Sequence, residues 1–89
     1  MQKTFKIVAM TPEKEFFNGE ATHIIISTPD GEIGIMADHM PIIAVVSKSV
    51  LKAEIGGEWR IATIGEGFLD ISENTVELFV DSAEWAEAR

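Results

Sequence analysis

Apolar and polar residues alternate along most of this chain with a period of two, the pattern of strands that cover a core with one face. Phe5, Ile7 and Ala9 alternate with Thr4 and Lys6; Leu51, Ala53 and Ile55 with Lys52 and Glu54; Val76, Leu78 and Val80 with Glu77 and Asp81. Each trio is expected to point into one core. Turn residues punctuate the pattern at roughly the eight-to-twelve-residue spacing of an all-β sandwich or barrel. They fall at Thr11-Pro12-Glu13, Asn18-Gly19, Pro29-Asp30-Gly31, Gly56-Gly57, Gly65-Glu66-Gly67 and Glu73-Asn74. Two facing sheets are the economical way to bury so many half-apolar strands. One segment departs from the pattern: Ser82 to Arg89, with Ser82 as an N-cap and three alanines, predicts about two turns of helix. So short a helix is stable only if Trp85 packs back onto the sheets.

The exceptions to the alternation carry information of their own. Val8, Phe68 and Phe79 fall on the face opposite the core residues, and Ile24, Ile25 and Ile26 form a run apolar on both faces. Together they predict an outer apolar patch large enough to bind another protein. Between Ser27 and Pro41 the chain reads STPDGEIGIMADHMP. Pro29 sets φ for a first turn, Asp30 can bond the backbone ahead, and Gly31 accepts a positive φ. After a short apolar strand, Asp38-His39-Met40-Pro41 makes a second turn with a charge and an imidazole. The segment predicts two polar tips flanking one buried strand, a recognition surface rather than a catalytic pocket.

At 89 residues the chain is expected to form a single domain, residues 1–89, with one small core. There is no cysteine, which excludes disulfides, thiolate metal sites and cysteine nucleophiles. Lys6 interrupts any signal-like start, and the longest apolar run, Met40 to Val46, contains Pro41 and falls far below the ~20 residues of a membrane span. The chain is therefore expected to be soluble, without direct membrane insertion. The net charge is −8, and Ile61 to Ala88 holds seven acids and no lysine or arginine. Such a surface repels phosphate backbones and anionic headgroups, which argues against a nucleic-acid partner; it fits equally a basic protein partner or a solvated face that only aids solubility.

Candidate chemistry is sparse. His23 lies in a strand beside Ile24, His39 sits in a turn next to Asp38, and two histidines without cysteine fall short of the four ligands of a structural zinc. Gly65-Glu66-Gly67 lacks the third glycine and following helix of a dinucleotide loop, and no GxxxxGK[ST] or G-x-S-x-G occurs. Those glycines predict a bulge or tight corner. Lys48, between two serines, lacks the flanking methionines expected of a modifiable carrier lysine. Neither a catalytic set nor a cofactor is predicted.

The order of motifs resembles the epsilon subunit of F-type ATP synthase. A TPE turn at Thr11 is followed by F-x-G-E at Phe17 to Glu20, then T-x-D-G-E-I-G-I-M-A-D-H-M-P from Thr28 to Pro41. A tryptophan-bearing strand at Trp59, E-G-F at Glu66 to Phe68 and Val80-Asp81-Ser82-Ala83-Glu84 complete the series. The matches keep one register from Phe5 to about Trp85.

The resemblance implies an N-terminal β-sandwich of ten strands in two five-stranded sheets. It implies a non-catalytic rotor subunit at the foot of the central stalk, linking the gamma subunit to the c-ring and coupling ion translocation to ATP synthesis. It places Asp30, Gly31 and Glu32 at the c-ring, with His39 at the same lower end, where His39 could equally serve only to close its turn. Gamma is expected to meet a sandwich face and the first turn, at Thr11 and its neighbours and loosely the strand after Pro41; the alternation argument adds Val8, Phe68 and Phe79. The protein would be peripheral to the cytoplasmic face of a bacterial inner membrane, or to the stromal face of a thylakoid. Most family members continue into a helical hairpin that can inhibit ATP hydrolysis; if Arg89 ends the complete gene product, that inhibition is expected to be missing, and a truncated chain would read the same. The rival readings are a small cupin-like metal-binding β-barrel, which needs at least three convergent ligands where two histidines are on offer, and an OB-type nucleic-acid binder, which the acidic last third disfavours.

Overall fold

The computed structural model describes residues 3–86 and arranges them in ten strands. In chain order these are β1 (Phe5–Met10), β2 (Glu15–Ala21), β3 (His23–Thr28), β4 (Gly31–Ile35), β5 (Ile42–Val46), β6 (Ser49–Ile55), β7 (Glu58–Ile64), β8 (Gly67–Ser72), β9 (Thr75–Val80) and β10 (Ala83–Trp85). They form two five-stranded sheets, ordered β2-β1-β9-β8-β5 and β10-β7-β6-β3-β4. The first is mixed, because β1 runs parallel to β9. Consecutive strands β4 and β5 become the edge strands of different sheets, so the chain changes sheet through the Asp38 turn.

The inward trios lie where the alternation puts them. Phe5, Ile7, Ala9, Leu51, Ala53, Val76, Leu78 and Val80 are buried, joined by Ile24, Ile26, Ile35, Ala62, Ile64, Leu69 and Ile71 in one core shared by both sheets. Ile55, at the end of β6, is half-buried. No polar or charged residue is buried among the described residues, so the core rests on apolar packing alone.

Two sequence expectations are corrected. Asn18-Gly19 is not a turn; it lies inside β2, opposite Val8 and Ile7. Its glycine is a bed for the Phe17 ring, which would stand 2.8 Å from a Cβ at Gly19. The reversal comes earlier, where the Thr11 N–H donates to the Lys14 carbonyl at 2.9 Å. The described part of the predicted C-terminal helix is instead β10, paired antiparallel with β7; residues 87–89 lie outside the described residues. Tertiary packing overrides alanine's helix propensity here. Pairing with β7 sets the Trp85 ring 4.8 Å from Phe16 and 5.8 Å from Phe17, with the Arg60 guanidinium 3.9 Å above it. This aromatic group bridges the sheets at the β2/β10 side.

The expected corner at Gly65 to Gly67 is present, and at Gly67 it is obligatory. A Cβ on Gly67 would collide with the Phe79 carbonyl, and one on Gly65 with the Asp81 carboxylate. The Asp81 N–H donates to Glu66 O at 3.0 Å, carrying the β8/β9 ladder one step further.

Candidate functional site

Three surfaces hold the residues that sequence reasoning singled out. The first is the β3/β4 hairpin tip. Thr28 pairs with Gly31 and Ser27 with Glu32, leaving Pro29-Asp30 as a two-residue turn. Gly31 has φ +119°, as the turn demands. The backbone is held by a residue the sequence reading passed over: the Thr28 hydroxyl accepts from the Asp30 N–H at 3.1 Å and donates to Gly31 O at 2.8 Å. The ST-turn signal of a threonine two residues before an aspartate could have found it. Asp30, Gly31 and Glu32 are all exposed, so the tip presents two carboxylates on a preorganised loop.

The second tip is elsewhere. Asp38 takes φ 65°, its N–H donates to Asn74 Oδ1 at 2.8 Å, and its carboxylate holds Lys3 Nζ at 2.8 Å. Asn74 in turn donates to Thr4 O at 3.0 Å. These partners belong to the start of β1 and the β8/β9 turn, whereas Pro29 lies with Val45, Ser47, Glu66 and Asp81. The two tips therefore sit at opposite ends of the sandwich, and the expectation that His39 shares an end with Asp30 is corrected: β4 separates them. The half-buried His39 ring nitrogen Nδ1 lies 2.8 Å from Met40 O, which closes its own turn. Hydrogen bonding and attraction to Asp38 raise the Lys3 ammonium above its usual 10.5.

The third surface is the outer face of the β2-β1-β9-β8-β5 sheet. Cross-strand pairing aligns Met10, Phe79, Phe68 and Val45 in one row over four strands. Phe68 and Phe79 stack at 5.1 Å with a tilt of 32°. Phe68 is 48% exposed, Val45 61% and Ile43 75%, while Val8 and Phe79 are half-buried. Thr11 and Pro12 border the Phe68–Phe79 end in an apolar groove of about 330 Å³. Met10, Ile43 and Val45 were not singled out from sequence, although Met10 neighbours Thr11 and the other two lie in the strand after Pro41 that the resemblance loosely pointed to. Pro29 shares an open cleft of about 490 Å³ with Val45, Phe68 and Asp81, so the hairpin tip adjoins this row.

The histidines do not converge. His23 stacks on Trp59 at 5.3 Å on the outer face of the other sheet, and among the described residues no three His, Asp or Glu side chains group to hold a metal ion. No helix among those residues is long and apolar enough to cross a membrane.

Fold and surfaces together define a β-sandwich module that presents an acidic hairpin tip and an exposed apolar row. The family model for the ATP synthase, Delta/Epsilon chain, beta-sandwich domain matches residues 4–86, and the chain belongs to that family. It is 39% identical over 83 residues to the ATP synthase epsilon chain of Caldicellulosiruptor saccharolyticus, covering 93% of this chain and 61% of that one. It is 38% identical over 84 residues to that of Ruminiclostridium cellulolyticum, covering 94% and 63%. The chain thus spans less than two thirds of the length of these relatives. The same fold recurs in a chain of the Euglena gracilis mitochondrial ATP synthase OSCP/F1/c-ring structure, with a TM-score of 0.87 at 20% identity over 92% of this chain and 53% of that one. It recurs again in the central stalk/c-ring structure from Tetrahymena thermophila, with a TM-score of 0.78 at 18% identity over 93% and 67%.

Proposed function

We propose that the chain is the β-sandwich of a non-catalytic rotor subunit, seated between the gamma subunit and the c-ring of an F-type ATP synthase and linking ion translocation to ATP synthesis. The observation that carries this reading is the adjacency of two unlike surfaces on one rigid body. The Pro29-Asp30 tip and the Phe68 end of the apolar row border a common cleft. One body can therefore be gripped by one partner on its face and touch another at its end, which is what passing torque requires.

In this assignment Asp30, Gly31 and Glu32 meet the polar loops of the c-ring, where carboxylates accept charge-assisted bonds roughly twice as strong as neutral ones. Val8, Thr11, Phe68 and Phe79, with Met10 and Val45 beside them, meet gamma. His39 stays with its own turn. The protein would then be held at the membrane surface through the ring, on the cytoplasmic or stromal side.

The test is reconstitution with gamma and the c-ring. Glu32→Lys is expected to abolish ring attachment while leaving the unfolding free energy within the ~0.5 kcal/mol typical of surface changes. Phe68→Ser is expected to abolish gamma binding. A chain that fails to bind gamma at micromolar concentration would sink the reading.

A further inference from the structure

The outward rungs of the β8/β9 ladder follow a pattern that the rotor reading does not use. Phe68 pairs with Phe79, and one outward step along, Asp70 pairs with Glu77. Just past the strand ends the other way, the Asp81 N–H donates to Glu66 O at 3.0 Å, and both residues line the cleft beside Phe68. The ladder therefore reads acid pair, aromatic pair, acid pair, with the outward steps about 7 Å apart.

Like charges placed directly opposite each other on a sheet face weaken it. Neither acid pair forms an ion pair: the one found among the described residues is Lys3–Asp38, beside the β8/β9 turn. Lys6 shares the outer face but pairs with Thr75, one step beyond Glu77. The Asp70–Glu77 pair also lies between apolar neighbours, with Val8 opposite Glu77 and Ile43 opposite Asp70. A partner covering the row would bury these carboxylates against apolar side chains, so it has to bring the missing positive charge.

We propose that this face docks a protein surface in which an apolar strip is flanked on both sides by lysine or arginine, the strip lying over Phe68 and Phe79 and the cations meeting Asp70–Glu77 and Glu66–Asp81. Charge complementarity argues for this occupant: the apolar row alone would accept any greasy surface, and the two acid margins select a basic one and set its register. The inference rests on the assignment of this face to gamma and specifies the chemistry of gamma's contact.

The experiment measures binding of gamma to the wild-type chain, to Asp70→Asn/Glu77→Gln and to Phe68→Ser at low and high salt, alongside each variant's unfolding midpoint. The double variant is expected to bind roughly tenfold more weakly at low salt, with a shallower salt dependence. Its unfolding midpoint is expected to be unchanged or raised, because opposed like charges are removed; a purely structural role for the acids would lower it. If the double variant binds as the wild type does, with the same salt dependence, while Phe68→Ser loses binding, the inference is overturned and the gamma-facing reading stands. If Phe68→Ser also binds normally, or the wild type does not bind, the underlying reading fails and takes the inference with it.

Discussion

At the residue scale, single atoms decide several features. Gly67 passes under the Phe79 carbonyl with no room for a Cβ. Gly67→Ala is therefore expected to cost about 3 kcal/mol, the upper part of the overpacking range, because backbone rather than a flexible side chain has to move. Urea unfolding checks it through a lowered midpoint at unchanged slope. That glycine was legible as a corner residue, but the close approach of β9 that makes it obligatory was not, since it depends on how the far end of the next strand pairs back onto it. Lys3 offers a pH-dependent prediction. Its folded pKa is raised by Asp38, so its share of stability is complete below pH 10.5 and is lost as pH rises through the raised value. The difference in midpoint between wild type and Lys3→Met should stay flat from neutral to mildly alkaline pH and vanish at higher pH. Because both side chains are largely exposed, added salt should also shrink it.

At the element scale, β10 shows how packing overrides local preference. Ser82 to Ala86 has the composition of a short helix, yet three of its residues pair with β7 because that places Trp85 on Phe16 and Phe17 beneath Arg60. Trp85→Ala is expected to destabilise the chain by about 2 kcal/mol, less than for a fully buried tryptophan. It should also release β10. The Ala86 N–H, which donates to Ile61 O at 2.9 Å, would then exchange with solvent much faster, and amide hydrogen exchange reads this directly. Edge strand β5 is the other element whose character emerged only from pairing. Ile42, Ala44 and Val46 face inward, while Ile43 and Val45 remain exposed next to Asp70 and Phe68. An uncharged, outward-facing edge of this kind is a hazard for an isolated chain unless a partner covers it.

At the scale of the whole molecule, the surfaces divide the work: the outer face of one sheet and the adjoining hairpin tip form the proposed contacts, and the Asp38 end is tied to β1 and the β8/β9 turn. If gamma covers the apolar row, unfolding and binding are linked. The chain's melting temperature should rise with gamma concentration, gaining about 2.7 kcal/mol of stability at a hundredfold excess over Kd. Thermal unfolding across a gamma titration measures this, and a midpoint indifferent to gamma would contradict it. The sequence by itself determined the all-β class, most of the inward residues and the chemistry of the Pro29-Asp30-Gly31 turn. Alternation and turn geometry are set within a few residues by backbone sterics, so they can be read locally. Only the tertiary structure decided that β1 lies parallel to β9, which brings Met10 beside Phe79, that acid and aromatic pairs alternate along β8/β9, and that the two polar tips point to opposite ends. Those arrangements depend on which distant strands become neighbours, and the period of a strand says which way its side chains face without saying what lies next to it.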